Sequence, residues 1–214
     1  MRALLLLAGL GLSGSTLLTV SSVEAQVTQL PNPLKVDRVA KAESFFGRGQ
    51  YSQALDVAQA ALEGTLTAAQ QARAYWLSGK SHEALGSLDK ALSVYQVAVK
   101  LYPREPDLLI ALGDLFRKVG LEDRAMPHYQ AALKADPDNA TAHTALGIIL
   151  IEQGLFSAAT PHFKAALSRK PKDLDAMLGL GRSQAGEGKL AEAEATLSAG
   201  LKAGGNVDMR VGLA

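Results

Sequence analysis

No cysteine occurs anywhere in the 214 residues. That excludes disulfides, thiolate catalysis, iron–sulfur clusters and cysteine zinc sites in one step. It also excludes the cysteine on which a bacterial lipid anchor is built. Aromatic residues amount to 5%, with a single tryptophan, so no large aromatic core is available. Charge of one sign is missing too: 22 basic residues face 21 acidic ones, for a net charge of +1. Without a basic excess there is little to neutralise a phosphate backbone, which argues against nucleic-acid binding. What the chain does have is alanine and leucine, within an apolar fraction of 48% and a charged fraction of 20%. Small side chains of this kind suit closely packed helices in a folded protein.

One continuous apolar run stands near the N-terminus. Arg2 and the amino group form a short positive region ahead of Ala3 to Leu12, and Gly14, Ser15 and Thr16 interrupt the run before Leu17 to Val20. Val23, Glu24 and Ala25 then place small residues where a signal peptidase reads, with cleavage before Gln26. Residues 1–25 therefore read as an export signal, and the expected location is the periplasm or the exterior. The other reading is an uncleaved anchor over Ala3 to Val20, which is about the minimum spanning length. Residues 26–34, with Pro31 and Pro33, read as a short tether.

Beyond the tether the chain keeps a period. Pro103, Pro137 and Pro171 are spaced by 34 residues; so are Gly113, Gly147 and Gly181, and so are Gly86, Gly120, Gly154 and Gly188. A fixed period of this size means one supersecondary unit stacked on copies of itself. Counting Ala140 as position 1, the copy 140–173 has Leu146 and Gly147 at positions 7 and 8. Leu150 follows at 11, Gly154 at 15, Ala159 at 20, Phe163 at 24, Ala166 at 27 and Pro171 at 32. Copies 106–139 and 72–105 keep the pattern, with Ser78 at position 7 of the latter. Copies 35–71 and 174–207 are weaker: Lys41 replaces the leucine, Gly200 the alanine and Gly205 the proline. Ala69, Gln70 and Gln71 form a three-residue insertion at the end of the first copy.

This spacing of small and large residues resembles the tetratricopeptide repeat, a helix–turn–helix unit. The resemblance covers residues 35–207, and implies an all-α, right-handed α-solenoid of about five repeats. Physical reasons support the pattern. Positions 7, 11, 24 and 27 recur at helical spacing and face inward. Glycine at 15 ends helix A with a positive φ. Proline at 32 stops helix B. Ser52, Asp89, Asp123 and Ser157, at position 18, read as N-caps of helix B. Pro127 and Pro161, at position 22, are expected to loosen the first turns of helix B. Residues 208–214 resemble the opening of a sixth helix A, a partial C-terminal cap. An array so ended is expected to expose part of its last helix B and to self-associate or dock there.

Catalytic patterns are weak. Gly79-Lys80-Ser81 has Ala74 where a phosphate-binding loop needs its earlier glycine, and it lies within a helix A. His128 and His162 share position 23 of successive copies. Such positions lie on the order of 10 Å apart, too far to share one metal at bonds of about 2 Å. No zincin, nucleophile-elbow or paired-carboxylate pattern occurs beyond the signal. The expectation is a protein that is not an enzyme, with no cofactor and no metal.

In tetratricopeptide families helix A lines the concave face through positions 2, 5, 9, 12 and 13. Carried onto this chain, position 2 gives Arg73, Asp107, Thr141 and Asp175. Position 5 gives Val39, Trp76, Ile110, Thr144 and Leu178; position 9 gives Glu43, Lys80, Asp114, Ile148 and Arg182; position 12 gives Phe46, Glu83, Arg117, Ile151 and Ala185. The resemblance thus implies a protein-binding groove of Arg73, Trp76, Lys80, Ile110, Asp114, Arg117, Thr144, Ile148, Ile151, Leu178 and Arg182. Its apolar strip would run exposed from Trp76 through Ile110 and Ile148 to Leu178, a patch that a monomer seldom leaves unused. Lys80, Asp114, Arg117 and Arg182 would set the register of the partner. The chaperone-tail clamp of some family members is absent: Val39 and Glu43 replace its lysine and asparagine, and Ala111, Ala145 and Gly179 its later basic position. The expected function is a cell-envelope scaffold that binds a protein or peptide segment in this groove. The rival is an architectural subunit of a secretion, pilus or polysaccharide-export assembly, joined through the ends of the solenoid.

Overall fold

The fold was analysed in a computed structural model, which describes residues 37–204. The expected signal, the tether and the partial C-terminal cap lie outside the described residues. Ten helices follow in order among the described residues: α1 (Arg38–Gly47), α2 (Tyr51–Leu62), α3 (Ala68–Ala84), α4 (Leu88–Leu101), α5 (Pro106–Lys118), α6 (Glu122–Ala135), α7 (Ala140–Glu152), α8 (Phe156–Arg169), α9 (Leu174–Gly186) and α10 (Leu190–Lys202). They form five helix pairs in a right-handed solenoid, with no strand among the described residues. Odd-numbered helices are the A helices and even-numbered ones the B helices.

Each pair turns on a glycine. Gly49, Gly86, Gly120, Gly154 and Gly188 have φ between 73° and 79°. At Gly86 the backbone N–H donates to the Glu83 carbonyl, and the next N–H, of Ser87, donates back to His82 at 2.8 Å. This pair of bonds is the Schellman ending of a helix, and it recurs at all five turns. Only glycine takes the left-handed conformation without a steric cost. The turn therefore stays three residues long and folds helix B back along helix A.

The capping expectation is corrected. Helix B begins one residue before position 18, so Ser52, Asp89, Asp123 and Ser157 lie inside its first turn. The caps of helix B are Gln50, Ser87, Leu121, Leu155 and Lys189, and none bonds through its side chain. The tight glycine turn fixes the start of helix B and leaves no residue free to reach back. Side-chain capping moves to the A helices, at Asp37, Thr67, Asn139 and Asp173. The prolines differ as well. Pro127 and Pro161 stand at the sixth residue of α6 and α8, past the first turn, yet both helices continue. Both prolines are exposed, so water can reach the carbonyls that lose their N–H partners.

The insertion lengthens a helix. Ala69, Gln70 and Gln71 lie within α3, which starts a turn earlier than its counterparts. Gln70 completes a capping box with Thr67, accepting from its backbone N–H at 3.1 Å. Gln71 accepts a hydrogen bond from the Tyr102 hydroxyl at the end of α4.

The core is a chain of nearest-neighbour contacts. One cluster joins α1, α2 and α3 through Ala42, Ala58 and Leu77. The largest spans α3 to α7 around Tyr95, Tyr129, Leu112 and Ile149. A third joins α7, α8 and α9 around Phe163. The position-24 rings of Tyr95, Tyr129 and Phe163 are fully buried, and each slides under a glycine at position 8. A Cβ on Gly113 would stand 2.8 Å from Tyr129 Cε1, and one on Gly147 would stand 2.6 Å from Phe163 Cζ. The glycines thus let helix A and helix B close over an aromatic ring.

Candidate functional site

The two tyrosines do more than fill space. Tyr95 passes beneath α3 and donates to Glu83 Oε1 at 2.7 Å. Tyr129 passes beneath α5 and donates to Asp114 Oδ1 at 2.7 Å. Burial pushes both phenols far above their ordinary range, and the neighbouring carboxylates push them further. They remain neutral donors, holding two acidic side chains in place on the face formed by the A helices. In the fourth copy the corresponding positions are Ile148 and Ile151, and the ring there is Phe163. The hydroxyl is present where an acid can receive it and absent where isoleucines would leave it unpaired.

Glu83 and Asp114 help to line a cavity of about 590 Å³. Its other walls are Arg117 and Lys118 of α5; Thr141, Thr144, Ala145 and Ile148 of α7; and Asp173 with Asp175 at the start of α9. Four successive A helices therefore contribute. Lys80 stands beside it, 3.3 Å from Glu83. The volume lies within the range of small-ligand and peptide sites.

Two polar atoms at this cavity lack partners among the described residues. Thr144 is 7% exposed and its Oγ1 makes no hydrogen bond. Arg117 Nε is likewise buried without a partner. Groups of this kind are destabilising unless something satisfies them. Asp114 is also under tension. Burial holds its carboxyl above the ordinary value of 3.8, and the Tyr129 hydroxyl, Lys80 and Arg117 oppose this.

A pH dependence follows. A carboxyl with a raised folded pKa adds stability below the unfolded value of about 3.9, and that contribution is lost as pH rises through the folded value. Asp114→Asn keeps an oxygen for Tyr129 and removes the titration. We expect its melting temperature to gain on the wild type as pH rises from about 4 through the raised folded value. A difference that stays flat across thermal melts in this range would contradict the assignment.

The residues expected for the groove separate into three sets. Asp114, Arg117, Thr144 and Ile148 come together at the cavity. Arg73 and Trp76 form a second cluster, with the Arg73 guanidinium 4.2 Å from the Trp76 ring centroid and Trp76 against Phe46. Arg73 also binds Glu43 at 2.6 Å and approaches Asp107 at 3.8 Å, so it links three copies. The third set lies outside that cavity. Leu178 is half-buried and Arg182 exposed. Ile110 and Ile151, expected on an exposed apolar strip, are each 7% exposed. They pack into the core instead, Ile110 in the central cluster and Ile151 in the cluster around Phe163. The face left open is polar at its centre.

Glu83, Thr141, Asp175 and Lys118 hold groove positions 12, 2 and 13, so the repeat register reaches them. Asp173 and Ala145 have no such signal: Asp173 is also the N-cap of α9, accepting from the Ala176 N–H at 3.1 Å.

His162 pairs not with His128 but with His143, at 3.0 Å between the two Nδ1 atoms. His143 Nε2 lies 3.0 Å from the Pro137 carbonyl, which can only accept. His143 Nε2–H therefore donates to that carbonyl, and its Nδ1 faces His162 Nδ1. Burial and His143 together lower the pKa of His162. His128 stacks on Phe116. Among the described residues, no group of three or more His, Cys, Asp or Glu side chains is placed to hold a metal. No helix among them is long and apolar enough to cross a membrane.

No curated relative matches the chain in sequence. Solved structures do. A thermophilic tetratricopeptide protein of Thermus thermophilus is 21% identical, with a TM-score of 0.62 over 82% of this chain and 94% of that one. The MamA protein is 18% identical, with a TM-score of 0.61 over 78% and 89% of the two chains. YrrB, described as a tetratricopeptide protein with an unusual peptide-binding site, is 19% identical, with a TM-score of 0.58 over 84% and 91%. At such identities the likeness speaks to the fold. Two tetratricopeptide repeat family models match the sequence itself, one over residues 39–106 and 110–173 and the other over residues 150–211. With glycine turns, helix pairs and sequence models in agreement, the chain belongs to the tetratricopeptide repeat family.

Proposed function

We propose that this protein is an exported scaffold that holds a segment of a partner protein in its concave groove, centred on the cavity between α3 and α9. The family is one of protein-interaction repeats. The observation that carries the reading is the cavity itself, walled by four A helices and furnished with a buried Thr144 hydroxyl that nothing among the described residues satisfies. The peptide-binding relative YrrB has the same fold, which supports a groove of this kind. The cell-envelope location rests on the sequence of residues 1–25.

Site-specific photocrosslinking in living cells tests both parts. A photoreactive residue at Thr141, on the cavity wall, should give a discrete adduct. The same residue at Lys134, exposed on α6, should not. The recovered chain should begin at Gln26 and fractionate with the periplasm or the medium. Equal adducts from both positions would overturn the groove. Adducts confined to α10 would favour end-to-end assembly instead. An intact Met1 in the cytosolic fraction would overturn export.

A further inference from the structure

The cavity is polarised from one wall to the other. Arg117 and Lys118 stand on the α5 side, and Asp173 with Asp175 on the α9 side, across a floor of Thr141, Thr144, Ala145 and Ile148. The remaining carboxylates are already engaged within the chain. Glu83 receives Tyr95 and Lys80, and Asp114 receives Tyr129. At the two walls, by contrast, neither Lys118 nor Asp175 forms an ion pair among the described residues. Both are exposed. Thr144, nine-tenths buried between the walls, has a hydroxyl without a partner.

We infer that the occupant is an extended peptide segment of mixed charge. It places an acidic side chain against Arg117 and Lys118 and a basic one against Asp173 and Asp175, and its main chain bonds to Thr144 Oγ1. This rests on the groove reading above and gives that groove its ligand chemistry. A segment of one sign would meet attraction at one wall and repulsion at the other. Neighbouring helices pack about 8–10 Å apart, so α5 and α9, with α7 between them, are separated by on the order of 20 Å. Side chains reaching in from both walls leave on the order of 10 Å. An extended chain covers that in about three to four residues at about 3.3 Å each. The acidic and basic residues of the partner are therefore about three to four positions apart. Thr144 adds a main-chain contact that holds whatever the intervening sequence.

Three synthetic peptides with blocked ends test this by calorimetric titration of the purified protein. One has an aspartate and a lysine four residues apart in a serine and alanine background; the second has two aspartates there, and the third two lysines. The mixed peptide should bind about tenfold more tightly than either of the others. Lys118→Glu should shift the preference to the two-lysine peptide, and Asp175→Lys to the two-aspartate peptide. The double variant should return it to the mixed peptide, because an extended chain can bind in either direction. Thr144→Val should weaken all binding by about fivefold while leaving the melting temperature of the free protein unchanged or higher. Equal affinity for the three peptides, no binding of any at millimolar concentration, or an unaffected Thr144→Val affinity would overturn the inference. Self-association of the chain that Lys118→Glu abolishes, with no peptide bound, would overturn it in favour of a second copy as occupant. Groove crosslinking at Thr141 that persists without charge preference would sink this inference alone; loss of that crosslinking would sink the groove reading as well.

Discussion

Gly79→Ala is expected to destabilise the protein by about 2 kcal/mol. The built Cβ lies within 2.7 Å of three atoms of the Tyr95 ring. That ring is fully buried and its hydroxyl is held by Glu83, so it has nowhere to swing. Overpacking of this kind costs about 1–3 kcal/mol, occasionally more. With contacts as short as 2.1 Å the cost lies at the upper end, and alanine returns up to about 1 kcal/mol of helix propensity, which leaves a loss of about 2 kcal/mol. At about 2–4 °C per kcal/mol for a chain of this size, the melting temperature should fall by roughly 4–8 °C. Gly47→Ala is the control, since a Cβ there meets nothing within 4 Å; it should be neutral or mildly stabilising. Adding Tyr95→Leu to Gly79→Ala should recover part of the loss by removing the ring that is struck. A positive coupling in that double-mutant cycle is the signature of direct contact. A neutral Gly79→Ala would refute the ring-under-glycine account of how each repeat closes.

A still larger effect is expected at Phe163, with a local character. Its ring lies under Gly147 of its own repeat and within 2.8 Å of a Cβ placed on Gly179 of the next. It centres the cluster that joins α7 and α8 to Ala176 and Leu180 of α9. Phe163→Ala should cost about 3–5 kcal/mol, the range for truncating a buried aromatic. In a stacked array stability is nearly a sum of repeat and nearest-neighbour terms. The loss should therefore uncouple the last pair rather than melt the whole chain. Hydrogen exchange should show α9 and α10 losing protection while α3 to α6 retain theirs. A uniform loss across all helices would show that the array behaves as one unit. Phe163→Tyr provides a second reading. Its hydroxyl would emerge toward Ile148 and Ile151 rather than an acid, and an unsatisfied buried hydroxyl costs about 1–3 kcal/mol.

These two sites show why the fold was legible and the candidate site only partly so. Gly86, Gly120, Gly154 and Gly188 announce their role through local backbone physics. A left-handed residue ends one helix and returns the chain, and it needs no knowledge of neighbours. Pro103, Pro137 and Pro171 act in the same local way, each standing two residues beyond the end of a B helix. The N-caps misled because the residue that caps depends on where the preceding turn sets the helix start. That start comes two residues before the one implied by caps at Asp89 and Asp123.

The period alone determined that the described chain is a set of stacked helix pairs and that positions 24 and 27 face inward. Both follow from helical geometry and from glycine and proline stereochemistry, which act over a few residues; the face formed by the A helices came from the family resemblance. Which groove residues remain open was decided only by the packing of each repeat on the next. That packing buries Ile110 and Ile151 in the core, leaves Asp114 and Glu83 to be held from beneath by Tyr129 and Tyr95, and brings Asp173 and Asp175, at the start of α9, to the same cavity as Lys118 of α5. Contacts between residues about 30 to 60 positions apart set it, and no local pattern encodes their distances.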